Sequence, residues 1–398
     1  MVTRQPATNN LSISGGFTQL PRRVFYLCIA GCWLLVLNIL IADDREIRHV
    51  TVYREDGRFG GWPANHGIWN WDNEILVGFS RGYHKDRKSG HNIDHDKPEE
   101  HVLARSLDAG ETWALEHPNS QGMLLGVGPA LHGTPLPGVT PPLPKKQTKP
   151  IDFTNPNLAL TVRMSGVNVG PSRYYVSLDR GRSWSPPYRL PLFGQLGIAA
   201  RTDYLVSGPR DCFLFLTASK SNGHEGRPLC VRTTDGGLTW KRVSWIGPEP
   251  SGLGDFAIMP STIRLNGNEL LTSCRTHEGL RRWIDTYRSL DNGRSWQFNG
   301  KGAEDTGTGN PPSMIQLADE RICLTYGYRA EPYGIRARIS ANQGNAWGKE
   351  IILRHDGSGV DLGYPRSVQR PDGKVVTVYY FQDQLDPYRH IAATIWKP

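Results

Sequence analysis

The octet SLDNGRSW, residues 289–296, is one of four near-copies in the chain: SLDAGETW stands at 106–113, SLDRGRSW at 177–184 and TTDGGLTW at 233–240. A worn fifth, SANQGNAW at 340–347, carries Asn342 in place of the aspartate. The anchors Asp108, Asp179, Asp235, Asp291 and Asn342 are separated by 71, 56, 56 and 51 residues. A repeat with this period marks a stack or ring of small structural units. Within each copy the aspartate can accept hydrogen bonds from the backbone of a tight turn, and glycine supplies the left-handed conformation the turn needs. The tryptophan then covers the apolar side of the hairpin. The octet is therefore expected to staple a hairpin rather than to carry chemistry.

Working outward, the intervening segments repeat a second pattern. WNWDNEILVGFS (69–80), IRLNGNELLTSCR (263–275), IQLADERICLTYGYR (315–329) and VQRPDGKVVTVYYF (368–381) each read as strand, short turn, strand. NLALTVRMSG (157–166) and DYLVSGPRDCFLFLTAS (203–219) fill the equivalent places. Six units of about four strands predict an all-β fold, a six-bladed β-propeller with four-stranded antiparallel blades. The sixth blade begins near Leu362, and IRHVTVYRE (47–55) would close the ring by pairing with HIAATIW (390–396). Composition agrees: 44 Gly, 29 Pro and 12 Trp among 398 residues, with only 21% charged, suit turns and sheets. One domain of 43–398 is expected, with the Pro-rich segment 128–150 as an insertion that cannot form a regular strand.

The net charge of +8 suits an acidic ligand such as an anionic glycan, but the basic residues are scattered and no nucleic-acid motif accompanies them. Arg22 and Arg23 precede the apolar run VFYLCIAGCWLLVLNILIA (24–42), and Asp43 and Asp44 follow. Residues 1–42 thus read as an export signal, or as an uncleaved anchor attaching the protein to a membrane, with the body outside the cytoplasm in either case. Cys212, Cys230, Cys274 and Cys323 lie in strand-like runs without metal-ligand spacing and read as buried thiols. Neither a metal nor a cofactor is called for.

Degenerate S-x-D-x-G-x-T-W octets on a six-unit all-β chain resemble the exo-sialidase family and its Asp-box relatives over roughly 43–398. The resemblance implies a glycan bearing a carboxylated sugar as substrate, gripped by three arginines from different blades, because guanidinium matches a carboxylate in a bidentate fork. By position these are Arg58 in GRFGGWP, Arg275 ending LLTSCR, and Arg329 ending LTYGYR, with Arg336 in GIRARIS competing for the third place. The nucleophile it implies is a tyrosine, since a carboxylate attacking a carbon that already bears one would be repelled. Tyr364 in DLGYPRS fits, seventeen residues after Trp347. The acid would come from the loop 82–101, where Asp86, Asp94 and Asp96 stand and the distance to the first octet favours Asp94 or Asp96. One departure is evident. The position of the family's glutamate partner to the tyrosine is Met259, which cannot accept a proton, so Asp255 or Asp361 would have to substitute.

Two other readings share these residues. A propeller of this kind could act on a uronate, with tyrosine or a histidine such as His66 or His84 moving the proton. It could also bind anionic glycans without turnover, through Trp62, Trp69 and Trp71.

Overall fold

The computed structural model describes residues 46–398, and the apolar run 24–42 lies outside them. The strands fall into six antiparallel sheets, numbered here as blades in chain order. The first strand of each blade is innermost wherever a strand occupies that position. Blade 4 shows the pattern: Phe256–Arg264, Leu270–Glu278, Arg281–Ser289 and Gln297–Ala303 pair in sequence order. Blade 5 repeats it with Pro312–Gln316, Ile322–Tyr328, Gly334–Ser340 and Ile351–Arg354. In blade 6, Gly363–Gln369, Val375–Phe381 and His390–Trp396 are completed by Ile47–Tyr53, which pairs with His390–Trp396 and shuts the ring. The predicted six-bladed propeller is what forms.

Blade 2 departs from the expected four strands. It has three, Ala159–Met164, Ser172–Ser177 and Tyr188–Arg189, and no inner strand. The chain leading into it is the Pro-rich segment 128–150, where missing N–H groups prevent a continuous ladder.

The octets behave as hairpin staples. In the copy at 289–296, Asp291 Oδ1 accepts from the Ser289 hydroxyl at 2.9 Å and from the Ser295 N–H at 2.9 Å, and Oδ2 accepts from the Ser295 hydroxyl at 2.6 Å. The Ser289 hydroxyl accepts from Gly293 N–H at 2.8 Å, and Gly293 sits at φ +81°. The same net recurs around Asp108, Asp179 and Asp235. Asn342 keeps the backbone bond from Ala346 at 2.8 Å but has no hydroxyl to receive there. Each octet joins the third to the fourth strand of a blade. Blade 6 takes its fourth strand from the other end of the body, so it has no such turn and no octet.

The core lies between blades. One cluster joins blades 6 and 1 through Phe59, Phe79, Val102, Val376, Tyr380 and Ile391. The four cysteines of the body are buried free thiols, and no disulfide joins Cys212 to Cys230.

A local device shapes the channel. Trp62, Met259 and Tyr364 each precede a proline and each adopt positive φ, at 59°, 55° and 50°. In blades 4 and 6 the register slips there, between Ile258 and Ser261 and between Gly363 and Arg366. In blade 1 the inner strand breaks after Gly61 and resumes at Ile68. Non-glycine residues rarely take this conformation and are held in it by surrounding structure, often at functional sites.

Candidate active site

Tyr364 stands at the kink of blade 6 and is fastened by its backbone. Its N–H donates to Asn310 Oδ1 at 2.9 Å, and the fully buried Asn310 donates from Nδ2 to the Leu362 carbonyl at 2.9 Å. Gly363 beside it lies at φ +101°, and a Cβ there would come within 2.4 Å of Asn310 Nδ2. Glycine is therefore required if the tyrosine is to sit against Asn310.

Three guanidinium groups gather around this phenol. Arg275, on the second strand of blade 4, donates from Nη1 to Tyr364 Oη at 3.4 Å. Arg329, just past the second strand of blade 5, lies with its guanidinium carbon 5.4 Å from the centre of the Tyr364 ring. Arg201, in the interrupted inner strand of blade 3, adds a third positive charge near the phenol; it ion-pairs with Glu225 and donates from Nε to Asn65 at 3.1 Å. Among the described residues neither Arg275 nor Arg329 forms an ion pair with a carboxylate. Burial holds the Arg275 guanidinium below its ordinary value, against the pull of Tyr364, and repulsion from Arg329 and Arg201 adds to the depression. Arg275 and Arg329, close to one another and without counter-ions among the described residues, form a site prepared for an anion.

Beside this cluster lies a second one, centred on Asp361. This carboxylate is 5% exposed and accepts from the Tyr380 hydroxyl at 2.7 Å, His91 Nδ1 at 2.5 Å and Asn92 N–H at 3.2 Å, with Arg389 Nε 3.4 Å away. Burial alone would raise its pKa, but His91, Arg389 and Arg329 outweigh that and hold it well below the usual carboxylate range. Tyr380 accepts from Arg329 Nη2 at 2.7 Å, which ties the two clusters together. Trp62, from the kink of blade 1, meets His91 edge-on at 4.8 Å and stacks on His132 at 4.0 Å. His132 comes from the Pro-rich segment, so that segment reaches the site; burial, with His91 and His95, depresses its imidazole to about 3.

The expected site residues divide accordingly. Arg275, Arg329 and Tyr364 come together, with Asp361 one hydrogen-bonded residue away through Tyr380. Arg58 does not join them. It begins its strand four residues before the Trp62 kink, a displacement of about 13 Å along an extended chain, and lies over the Tyr83 ring at 3.9 Å near Glu100. The third guanidinium near the phenol is instead Arg201, from blade 3. Arg336 is likewise outside the cluster, 2% exposed and spent on the Arg354 carbonyl at 2.5 Å and the Pro332 carbonyl at 2.8 Å.

Asp94 and Asp96 both receive the Lys85 ammonium at 3.1 Å, and neither touches Tyr364 or the three arginines. Burial pushes Asp94 up, but the Asp96 N–H and Lys85 together hold it below its ordinary value. Asp86 meets His84 at 3.1 Å. Met259 does lie beside the tyrosine, since Tyr364 packs against Ala64, Ile258 and Met259. Among the described residues no carboxylate hydrogen-bonds to the phenol; Asp255 instead accepts from Gly279 N–H at 2.9 Å. His66 is buried between Ser80 and Arg163, and Trp62 and Trp69 are buried in packing. No cluster of metal-ligating residues occurs among the described residues.

Fold and site together define a propeller of the sialidase-like kind. Residues 143–377 match the BNR repeat-like domain family, and the chain belongs to it. No curated protein matches the chain in sequence. Among solved structures, a protein of unknown function from Dyadobacter fermentans is similar at 22% identity and TM-score 0.64, covering 88% of this chain and 99% of that one. The NanB sialidase of Streptococcus pneumoniae is similar at 11% identity and TM-score 0.55 over 87% of this chain and 70% of that one. The alpha-L-arabinanase of Penicillium chrysogenum is similar at 13% identity and TM-score 0.56, over 87% and 97%. At these identities the likeness establishes a fold that glycoside hydrolases share.

Proposed function

We propose that the protein is a glycoside hydrolase that removes a terminal carboxylated sugar of the sialic acid type from a glycan, and that it works outside the cytoplasm. One observation carries the reading: Arg275 and Arg329, without carboxylate partners among the described residues, meet at Tyr364, with Arg201 near enough to act on its charge. The guanidinium groups hold the sugar's carboxylate, which brings the adjacent anomeric carbon to Tyr364 Oη. The phenol oxygen bonds to that carbon as the glycosidic C–O bond breaks. The phenol proton departs, and the leaving oxygen gains one. Water then displaces the tyrosine, giving the free sugar and returning a proton to the phenol. The basic flank and apolar run at 22–42 support export.

The test is release of free sugar from a fluorogenic sialoside. Tyr364→Phe is expected to abolish release while leaving the thermal melt unchanged. Failure of the wild type to turn over any of a panel of nonulosonic acid glycosides refutes the reading. A second reading, elimination from a uronate, is favoured by Met259 standing where a carboxylate would serve the phenol. It would be recognised by an unsaturated, ultraviolet-absorbing product.

A further inference from the structure

We propose that His91, oriented by Asp361, is the catalytic residue that delivers the proton to the leaving oxygen and later takes one from the attacking water. The proposal rests on the hydrolytic reading above and adds to it the group that moves the proton.

The geometry is that of a carboxylate–imidazole dyad. Asp361 is buried and anionic, so its 2.5 Å contact fixes the His91 proton on Nδ1. That leaves Nε2 as the exchanging atom. Nε2 hydrogen-bonds to no described residue, and the His91 side chain is 26% exposed. The ring plane is set by edge-on packing against Trp62 at 4.8 Å and His132 at 5.3 Å. Tyr380 links Asp361 to Arg329, whose guanidinium lies over Tyr364. Dyad and nucleophile are therefore joined through Tyr380 and Arg329. His91 belongs to the loop 82–101 that was expected to supply the acid, whereas Asp94 and Asp96 in that loop both pair with Lys85. An ionised, lysine-paired carboxylate has no proton to give.

The proton count closes. As Tyr364 Oη bonds to the anomeric carbon, its proton passes through solvent to His91 Nε2. The imidazolium, stabilised by Asp361, gives its Nε2 proton to the departing oxygen. In the second step neutral His91 takes a proton from water, and that proton returns to the phenol oxygen as the tyrosine leaves.

The experiment compares two substrates of one carboxylated sugar, an aryl glycoside whose leaving group needs no proton and an alkyl or sugar glycoside that does. His91→Gln is expected to slow the alkyl substrate about 100-fold or more and the aryl substrate less than about 10-fold. Imidazole added to His91→Ala restores part of the lost rate. Asp361→Asn, a change at the positioning residue, gives the same split between substrates with a smaller loss. Thermal melts identify any variant that has merely unfolded. Equal losses on both substrates overturn the assignment, as does a split produced by Asp94→Asn or Asp96→Asn with none at His91. A wild type inert on every carboxylated glycoside refutes the hydrolytic reading itself, and this assignment falls with it.

Discussion

Replacing Arg275 by glutamine separates the anion site from the scaffold. Arg275 has one long hydrogen bond, to Tyr364 at 3.4 Å, and its buried Nε has no partner. Its removal strands no carboxylate and relieves repulsion from Arg329 and Arg201. The change in folding stability should therefore stay within about 1 kcal/mol of zero. Binding should suffer, because a charge-assisted hydrogen bond to the sugar carboxylate contributes about 1.5–3 kcal/mol, which corresponds to about 10- to 150-fold in affinity. Arg336→Gln provides the contrast. Arg336 is 2% exposed, donates to the Arg354 and Pro332 carbonyls, and lies 3.2 Å from Glu350. Its loss leaves the Arg354 and Pro332 carbonyls without that donor, at about 1–3 kcal/mol for a buried acceptor, with no direct effect on ligand. Denaturant titration gives the stabilities, and calorimetry with free sialic acid or another carboxylated sugar gives the affinities. Should Arg275→Gln lose about 3 kcal/mol of stability, or bind the sugar as tightly as the wild type, the reading of Arg275 as an unsatisfied anion receptor is wrong.

Two further outcomes follow from local geometry. Hydrogen bonds from Ser295 and Ser289 outweigh desolvation and hold Asp291 at about 2, below its unfolded value. Its contribution is thus complete above the unfolded pKa and is lost as pH falls from about 5 through about 2. Asp291→Asn should lower stability at neutral pH by about 1–2 kcal/mol, allowing for solvent screening, and the difference should vanish in acid. A pH-independent difference in denaturant midpoints would contradict it. Gly363→Ala should destabilise by at least about 1–2 kcal/mol and depress turnover more than Tyr364's burial alone explains, because the added Cβ meets Asn310 at 2.4 Å. Unchanged kinetics would show that the Asn310 clamp does not position the phenol.

The fold was legible because the octet is a local device repeated at blade spacing. Asp, Gly and Trp each do in the hairpin what their chemistry predicts, and the five copies mark five of the six blades, the sixth being closed by the ring's first strand. Tyr364, Arg275 and Arg329 were legible for a related reason: each lies at a fixed distance from an octet or ends a recognisable strand. Arg201 was not, since it sits in the break of an inner strand where neither alternation nor an octet fixes the register. Its one signal is AART (199–202), a lone arginine between two short apolar runs. Arg58 misled because a conformational kink four residues further on, rather than strand pairing, decides which residue of blade 1 faces the mouth. The Asp361 hub was invisible as a hub, because His91 and Arg389 approach it from 270 residues before and 28 after. Three strands in blade 2 follow from prolines plain in the sequence, whose effect on the ring depends on pairing across the blade.

The seam between Ile47–Tyr53 and His390–Trp396 also sets an order of assembly. The first strand of the ring has no neighbour until the ring's last strand is made, so an edge stays unpaired while the intervening blades form. Closure of the ring therefore waits on its last strand, and a pause, nick or stop between the two leaves that edge available to another chain.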